Sequence, residues 1–320
     1  MIKFLGPNKT QTPAVSAGTQ VTGFGSAYFT FGDPTGAYTS FVGYNRTISF
    51  STDSESTRTA NTGPKATQGA GGFSSTNIYH INGYNAGLNT GKLKVLAASD
   101  SQSALTLSFT VERRGFTNNL PHYTKSRIYC MGGYSDSLGQ YRTDTTYITT
   151  STDTATSTNA ITAARHVSVG MYENTIAYIL GGYTTGNGFT TTIYKYDMTS
   201  DTASNTSLTE SVANGQGYSF SNSSWGYRAN GAVGTSGGNI KITFATETKT
   251  TGTNSPETNL QLFQGVSSAT STVGYVWTGY RNFTLNRAYH KLTFSTETWS
   301  NNSYTTADTN SGWITANSGA

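Results

Sequence analysis

Two markers that do not depend on each other recur along this sequence with nearly the same period. The first is a glycine, usually followed by tyrosine, that ends a β-rich run: Gly43 in SFVGY, Gly83 in HINGY, Gly133 in YCMGGY, Gly182 in YILGGY, Gly231 in YRANGA and Gly279 in VWTGY. Their spacings are 40, 50, 49, 49 and 48 residues, and only the fifth copy replaces the tyrosine, with Ala232. The second is the tripeptide [ST]-[DE]-[ST], centred on Asp53, Asp100, Asp153, Asp201, Glu247 and Glu297 at spacings of 47, 53, 48, 46 and 50. Of the 16 acidic residues in the chain, six sit at this one position. A period of this length means one supersecondary unit copied along the chain.

Between the markers lie segments of alternating character, such as Arg46–Phe50, Lys92–Leu96, Thr192–Tyr196, Asn239–Phe244 and His290–Phe294. Alternation with β-branched and aromatic enrichment is the strand signal, and no window carries a 3.6-residue apolar period with caps. Each unit therefore reads as four short strands. In the fourth unit these are Arg165–Glu173, Thr175–Tyr183, Thr190–Met198 and a polar outer strand near Thr202–Ser211. The marker glycine ends the second strand, where a missing Cβ permits positive φ or close backbone approach. The acid sits at the turn after the third strand, where a short carboxylate accepts backbone N–H bonds.

Four strands in 46–53 residues fit a propeller blade better than a β-helix coil, which needs roughly half that length. The fold class expected is all-β: a six-bladed β-propeller of four-stranded antiparallel blades. The expected blades are 22–65, 66–112, 113–163, 164–211, 212–258 and 259–320, preceded by an extended arm, 1–21, holding Pro7 and Pro13. The tail Trp313–Ala320 either starts a further strand that pairs with the first blade or frays.

Composition agrees with a folded chain that has a thin, tyrosine-rich interior. Leu, Ile, Val and Phe together make only about 17% of the residues, a level that suggests disorder when net charge is high. Here the net charge is +4, charged residues are 11% and aromatics 12%, with 21 tyrosines. Charge this low and scattered does not form a nucleic-acid footprint, and the pair Arg113-Arg114 is too little to make one. No run approaches the ~20 apolar residues of a membrane helix. Gly6, Pro7, Asn8 and Lys9 interrupt the N-terminal stretch, so no signal peptide is expected.

The kelch family of propellers is where the resemblance lies. It rests on the double glycines Gly132-Gly133 and Gly181-Gly182, on the segment Tyr196–Thr202 with its Asp-Thr ending, and on Trp299 after the sixth acidic turn. The resemblance implies a kelch-like propeller. Copper-dependent members of that family would need a Tyr/His/Cys constellation. Here Cys130 is the single cysteine and reads as a buried small hydrophobe. The histidines His80, His122, His166 and His290 stand at different strand positions with no ligand spacing, so no metal and no cofactor are expected.

Catalytic patterns are equally sparse. A carboxylate pair for glycoside cleavage can be assembled only across blades. A sialidase-type arginine cluster has Arg228, Arg281 and Arg287 as its candidates, against a plainer reading as solvated loop or interface arginines. No catalytic residue is assigned, and the chain is not expected to be an enzyme. The tyrosines after the marker glycines (Tyr44, Tyr84, Tyr134, Tyr183, Tyr280) read either as stacking platforms at a rim or as packing between blades. The binding residues expected on this loop face are Tyr84, Tyr134, Tyr183, Tyr280, Arg281 and Arg287. A Thr/Ser/Asn/Gly/Tyr-rich all-β chain of low charge also resembles bacteriophage tail and other virion proteins. That likeness implies a structural, interaction protein of the virion, assembled in the host cytoplasm, with other virion proteins and a host-surface glycan as partners. The competing expectation is a carbohydrate-binding or glycan-cleaving propeller.

Overall fold

The computed structural model describes residues 26–32, 42–49, 51–52, 55–58, 70–74, 76–81, 92–96, 98–99, 101–114, 117–122, 126–173, 175–186, 188–215, 217–229, 239–253, 266–269, 272–277, 280–281, 284–285, 288–303 and 315–319. These residues form an all-β, propeller-like arrangement of antiparallel sheets. Five four-stranded blades are each laid down by one contiguous stretch. Blade I spans 70–104, blade II 117–158, blade III 169–209, blade IV 218–251 and blade V 266–303. In blade III the order from the inside out is Val169–Glu173, Ile176–Leu180, Thr192–Asp197 and Thr202–Thr209.

A composite sheet joins the two ends of the chain. Ser26–Gly32, Val42–Ser49 and Glu55–Arg58 supply three strands, and the C-terminal strand Thr315–Gly319 pairs antiparallel with the first of them, Ser26 opposite Gly319 and Thr30 opposite Thr315. The innermost strands of the five blades follow one another around a ring. Thr315–Gly319 stands between the first, Ala70–Phe73, and the last, Val266–Ala269. Of the two courses open to the tail, it takes the paired one.

The expectation of six equivalent four-stranded kelch-like blades is therefore corrected. Among the described residues the chain builds five blades from contiguous segments, a seam sheet from an N-terminal and a C-terminal segment, and three additional two-stranded ribbons, so these sheets hold two or four strands. The first glycine marker falls at a different strand position from the others. Gly43 lies in the third strand of the seam sheet, whereas Gly32 ends the second. With Gly32 as the first marker, its distance to Gly83 is 51 residues, which restores an even period. The kelch-type double glycine is local to blades II and III. Gly181 and Gly182 both have positive φ, 55° and 96°, and a Cβ on Gly181 would lie 2.1 Å from the Asn214 carbonyl oxygen.

The interior consists of the interfaces between successive blades. Tyr79 and Ile81 of blade I pack on Ile128, Cys130 and Ile148 of blade II. Tyr129 and Met131 pack on Ala177, Ile179 and Tyr196 of blade III. Val169, Met171 and Leu180 meet Ile240, Ile242 and Phe244 of blade IV, and Phe220 and Tyr227 meet Leu292 and Phe294 of blade V. Each fully buried aliphatic side chain contributes roughly 1.5–3 kcal/mol. Cys130 has no exposure, and burial pushes its thiol up to about 12, in keeping with a packing role.

The acidic marker ties each of these interfaces at the outer corner. Asp153, Asp201, Glu247 and Glu297 occupy the turn before the outer strand with φ of 52°, 55°, 49° and 50°. Their carboxylates accept hydrogen bonds from the preceding blade. Tyr79 donates its hydroxyl to Asp153 Oδ1 at 2.9 Å, and Tyr129 donates to Asp201 Oδ1 at 2.7 Å. Tyr178 reaches Glu247 Oε1 at 3.5 Å. Lys94, Lys195 and Lys241 pair with Asp153, Glu247 and Glu297. Those lysines stand directly across the ladder from Tyr79, Tyr178 and Tyr227; Tyr79 with Lys94 and Tyr178 with Lys195 present a two-pronged donor to the next blade, while Tyr227 donates to the Thr253 carbonyl and leaves Glu297 to Lys241. Asp53 and Asp100 lie outside the described residues.

Candidate functional site

The marker tyrosines open the two-stranded ribbons. Tyr134–Ser135 pairs with Gln140–Tyr141, Tyr183–Thr184 with Gly188–Phe189, and Tyr280–Arg281 with Thr284–Leu285. Each ribbon extends the connection between the second and third strands of its blade, so all three stand at the same end of the blades. In blades II and III the ribbon is also fixed to the segment entering its blade. Arg114 and Tyr134 exchange backbone N–H···O bonds of 2.9 and 2.8 Å, and His166 and Tyr183 exchange bonds of 3.0 and 2.8 Å. Two residues per strand make a weak ladder alone; these extra pairings hold it.

Across the two ribbons runs a continuous aromatic band. Tyr134 and Tyr141 have ring centroids 5.2 Å apart, Tyr141 and Tyr183 5.6 Å, and Tyr183 and Phe189 5.2 Å in an edge-to-face contact. The Tyr141–Tyr183 contact joins blade II to blade III. His166 lies beneath, 5.8 Å from Tyr134 and 6.0 Å from Tyr141. Desolvation among these rings, with the Arg114 charge nearby, pushes His166 down to about 3 and keeps it neutral. Arg114 stacks over Tyr134 at 5.3 Å and grips Asp136 with a fork of bonds at 2.8–3.1 Å. Tyr183 is 37% exposed and Leu138, at the tip of the first ribbon, 50%. The band is a fixed surface with an open apolar edge.

Among the described residues Arg113, Arg165 and Arg228 are buried, a burial that the sequence pattern does not signal. Arg113 donates to the carbonyl oxygens of Gly132, at 2.8 Å, and Asp144, and to Thr146 Oγ1 at 2.9 Å. Arg165 donates to the carbonyls of Gly181 and Thr192 and stacks over Tyr194 at 4.2 Å. Each thus anchors the glycine corner from which a ribbon springs. The pair Arg113-Arg114 is divided between interior and surface and offers no basic patch. Arg228, weighed as a solvated or interface arginine, is fully buried against Glu210 at 3.0 Å. Burial pushes the Glu210 carboxyl up to about 7, even with Arg228 and Arg165 pulling it down.

Among the expected binding residues, Tyr134 and Tyr183 come together in the band. Tyr280 and Arg281 begin the third ribbon, whose backbone alone is described, and Tyr84 and Arg287 lie outside the described residues. Tyr141 and Phe189 were not anticipated. Their signal is positional, since each closes a short hairpin begun by a marker tyrosine. Among the described residues no three His, Cys, Asp or Glu side chains converge as a metal-ligand group, and no helix is long and apolar enough to cross a membrane. Fold and ribbon face together define an all-β, propeller-like protein with an aromatic surface carried on short hairpins. No protein-family model matches the chain, and no curated protein is similar to it.

Proposed function

We propose that the protein is a non-catalytic structural and interaction propeller, a component of a phage tail or other virion. In this reading it is assembled in the host cytoplasm and docks on neighbouring virion proteins or the host surface through its ribbon face. The observation that carries this reading is the aromatic band Tyr134–Tyr141–Tyr183–Phe189, set on a rigid support and open to solvent along Tyr183. Aromatic anchors of low conformational entropy, rimmed by polar groups, are the pattern of a recognition surface. The acids nearest the ribbons are engaged, Asp136 with Arg114 and Asp144 with Arg142 at 2.6 Å, which favours binding over acid–base chemistry.

The experiment is to purify virus-sized particles from the source of the sequence on a density gradient and search them for this chain by mass spectrometry. Stoichiometric recovery with the particle is the expected outcome. A chain found only in the soluble fraction overturns the virion assignment. A second reading, carbohydrate binding, is favoured by the mixture of ring faces and hydroxyls beside the second ribbon.

A further inference from the structure

Behind the ribbon of blade III lies an open cleft of about 520 Å³ between that ribbon, the third strand of the blade and the segment leading into it. The volume falls in the range of small-ligand sites, roughly 300–1,000 Å³. The lining contains five threonines, the rings of Phe189 and Tyr194, alanine methyls and Arg165. Among the described residues, the hydroxyls of Thr185 and Thr191 take no protein partner, while Thr184 spends its proton on the Gly188 carbonyl and Thr190 and Thr192 bond each other at 3.1 Å. The cleft therefore offers uncommitted hydroxyls, which both donate and accept, next to aromatic faces.

We infer that this cleft binds a neutral saccharide of one or two rings. Sugar hydroxyls need partners that donate and accept, which threonine supplies. The C–H faces of a pyranose need a flat apolar surface, which the Phe189 ring supplies in this lining. A carboxylated sugar is disfavoured because Arg165 is already committed. Its Nη1 donates to both the Gly181 and Thr192 carbonyls, its face covers Tyr194, and it has 1% exposure. Its unpaired Nε is sealed from solvent, so no bidentate grip on a carboxylate remains. Tyr183, edge-to-face with Phe189, extends the platform outward, so a longer glycan would leave the cleft along the aromatic band. This deepens the docking reading above and rests on it, naming the chemistry by which one blade would hold a host surface.

The test uses the full chain in solution. Methyl glucoside, galactoside and mannoside, maltose, cellobiose, lactose and chitobiose form the neutral panel, with sialyllactose as the acidic arm. Binding is read by calorimetry and by saturation-transfer NMR. Saturable binding to at least one neutral sugar is expected, weakened about three- to tenfold in Thr191→Val, which keeps the shape and removes one hydroxyl. Phe189→Ala should lose binding altogether. Both variants are checked for an unchanged melting temperature, and the valine variant carries the test should the alanine variant misfold. Silence across the neutral panel, binding of sialyllactose alone, or binding that both folded variants leave unchanged overturns the inference. Particle recovery is a separate measurement. A chain recovered with particles yet silent to sugars sinks this inference alone, and a sugar-binding chain absent from particles sinks only the virion assignment.

Discussion

At the scale of single residues, the acidic marker joins a backbone need to a side-chain bond, and the two are separable. Asp201 has φ of 55°, a conformation that aspartate tolerates and glycine adopts freely, while its carboxylate accepts the buried Tyr129 hydroxyl. Asp201→Gly keeps the turn and removes the acceptor, so it should cost about 1–2 kcal/mol in urea unfolding. Asp201→Val adds the strain of a β-branched residue at positive φ and should cost about 1–2 kcal/mol more. Equal losses for both variants would show that the turn conformation contributes nothing. His166 gives a pH signature. Its ordinary value is near 6.5 and its folded value about 3, so between these the unfolded chain takes up a proton that the folded chain refuses. The contribution is complete above pH 6.5 and declines as pH falls toward 3. Thermal unfolding of the wild type should weaken by about 1–3 kcal/mol more than that of His166→Phe between pH 7 and pH 4, after allowance for partial solvent screening. Parallel pH profiles for the two proteins would place His166 in water in both states.

At the scale of elements, the ribbons depend on the glycine corners beneath them. Gly181 and Gly186 both have positive φ, 55° and 78°, but a Cβ at 181 would strike the Asn214 carbonyl whereas at 186 it would meet nothing within 4 Å. Gly186→Ala should therefore cost only about 1 kcal/mol, and Gly181→Ala about 2–4 kcal/mol. Comparable melting temperatures for the two variants would mean that the corner relaxes. Much of this element pattern was readable before the structure. The strands of blade III stand within the expected segments: the two inner ones are short apolar runs buried at consecutive positions, and the outer strand Thr202–Thr209 alternates between half-buried and exposed residues. The ribbons were not readable, since two residues per strand are too few to show alternation. A second-strand tyrosine is a further marker legible in the sequence. Tyr28, Tyr79, Tyr129, Tyr178, Tyr227 and Tyr275 each stand four residues before a glycine at spacings of 51, 50, 49, 49 and 48, a more regular marker than the Gly-Tyr dipeptide. Tyr79, Tyr129, Tyr178, Tyr227 and Tyr275 are buried, and the first three of these reach the acidic turn of the next blade.

At the scale of the whole molecule, closure is the property that sequence periodicity could not supply. Nothing in Thr315–Gly319 distinguishes it from other polar runs, and its place is set by the gap that five contiguous blades and three N-terminal strands leave. That strand pairs with Ser26–Thr30 and fills the space between the inner strands Ala70–Phe73 and Val266–Ala269. A ring depends on its seam more than an open stack depends on an end, because loss of one strand bares a ladder edge and two interblade faces together. Deleting residues 313–320 should lower the melting temperature by about 5–15 °C, given that a few kcal/mol shifts a chain of this size by several degrees. It should also promote self-association, since the bared Ser26–Thr30 edge offers its free N–H and C=O groups to another copy. A synthetic peptide of residues 313–320, added in excess, should restore both properties by mass action, with a recovery that saturates as the edge fills. A truncated chain that melts like the parent and stays monomeric would show that the ring is held without its C-terminal strand, and that the two ends of the chain are not what closes it.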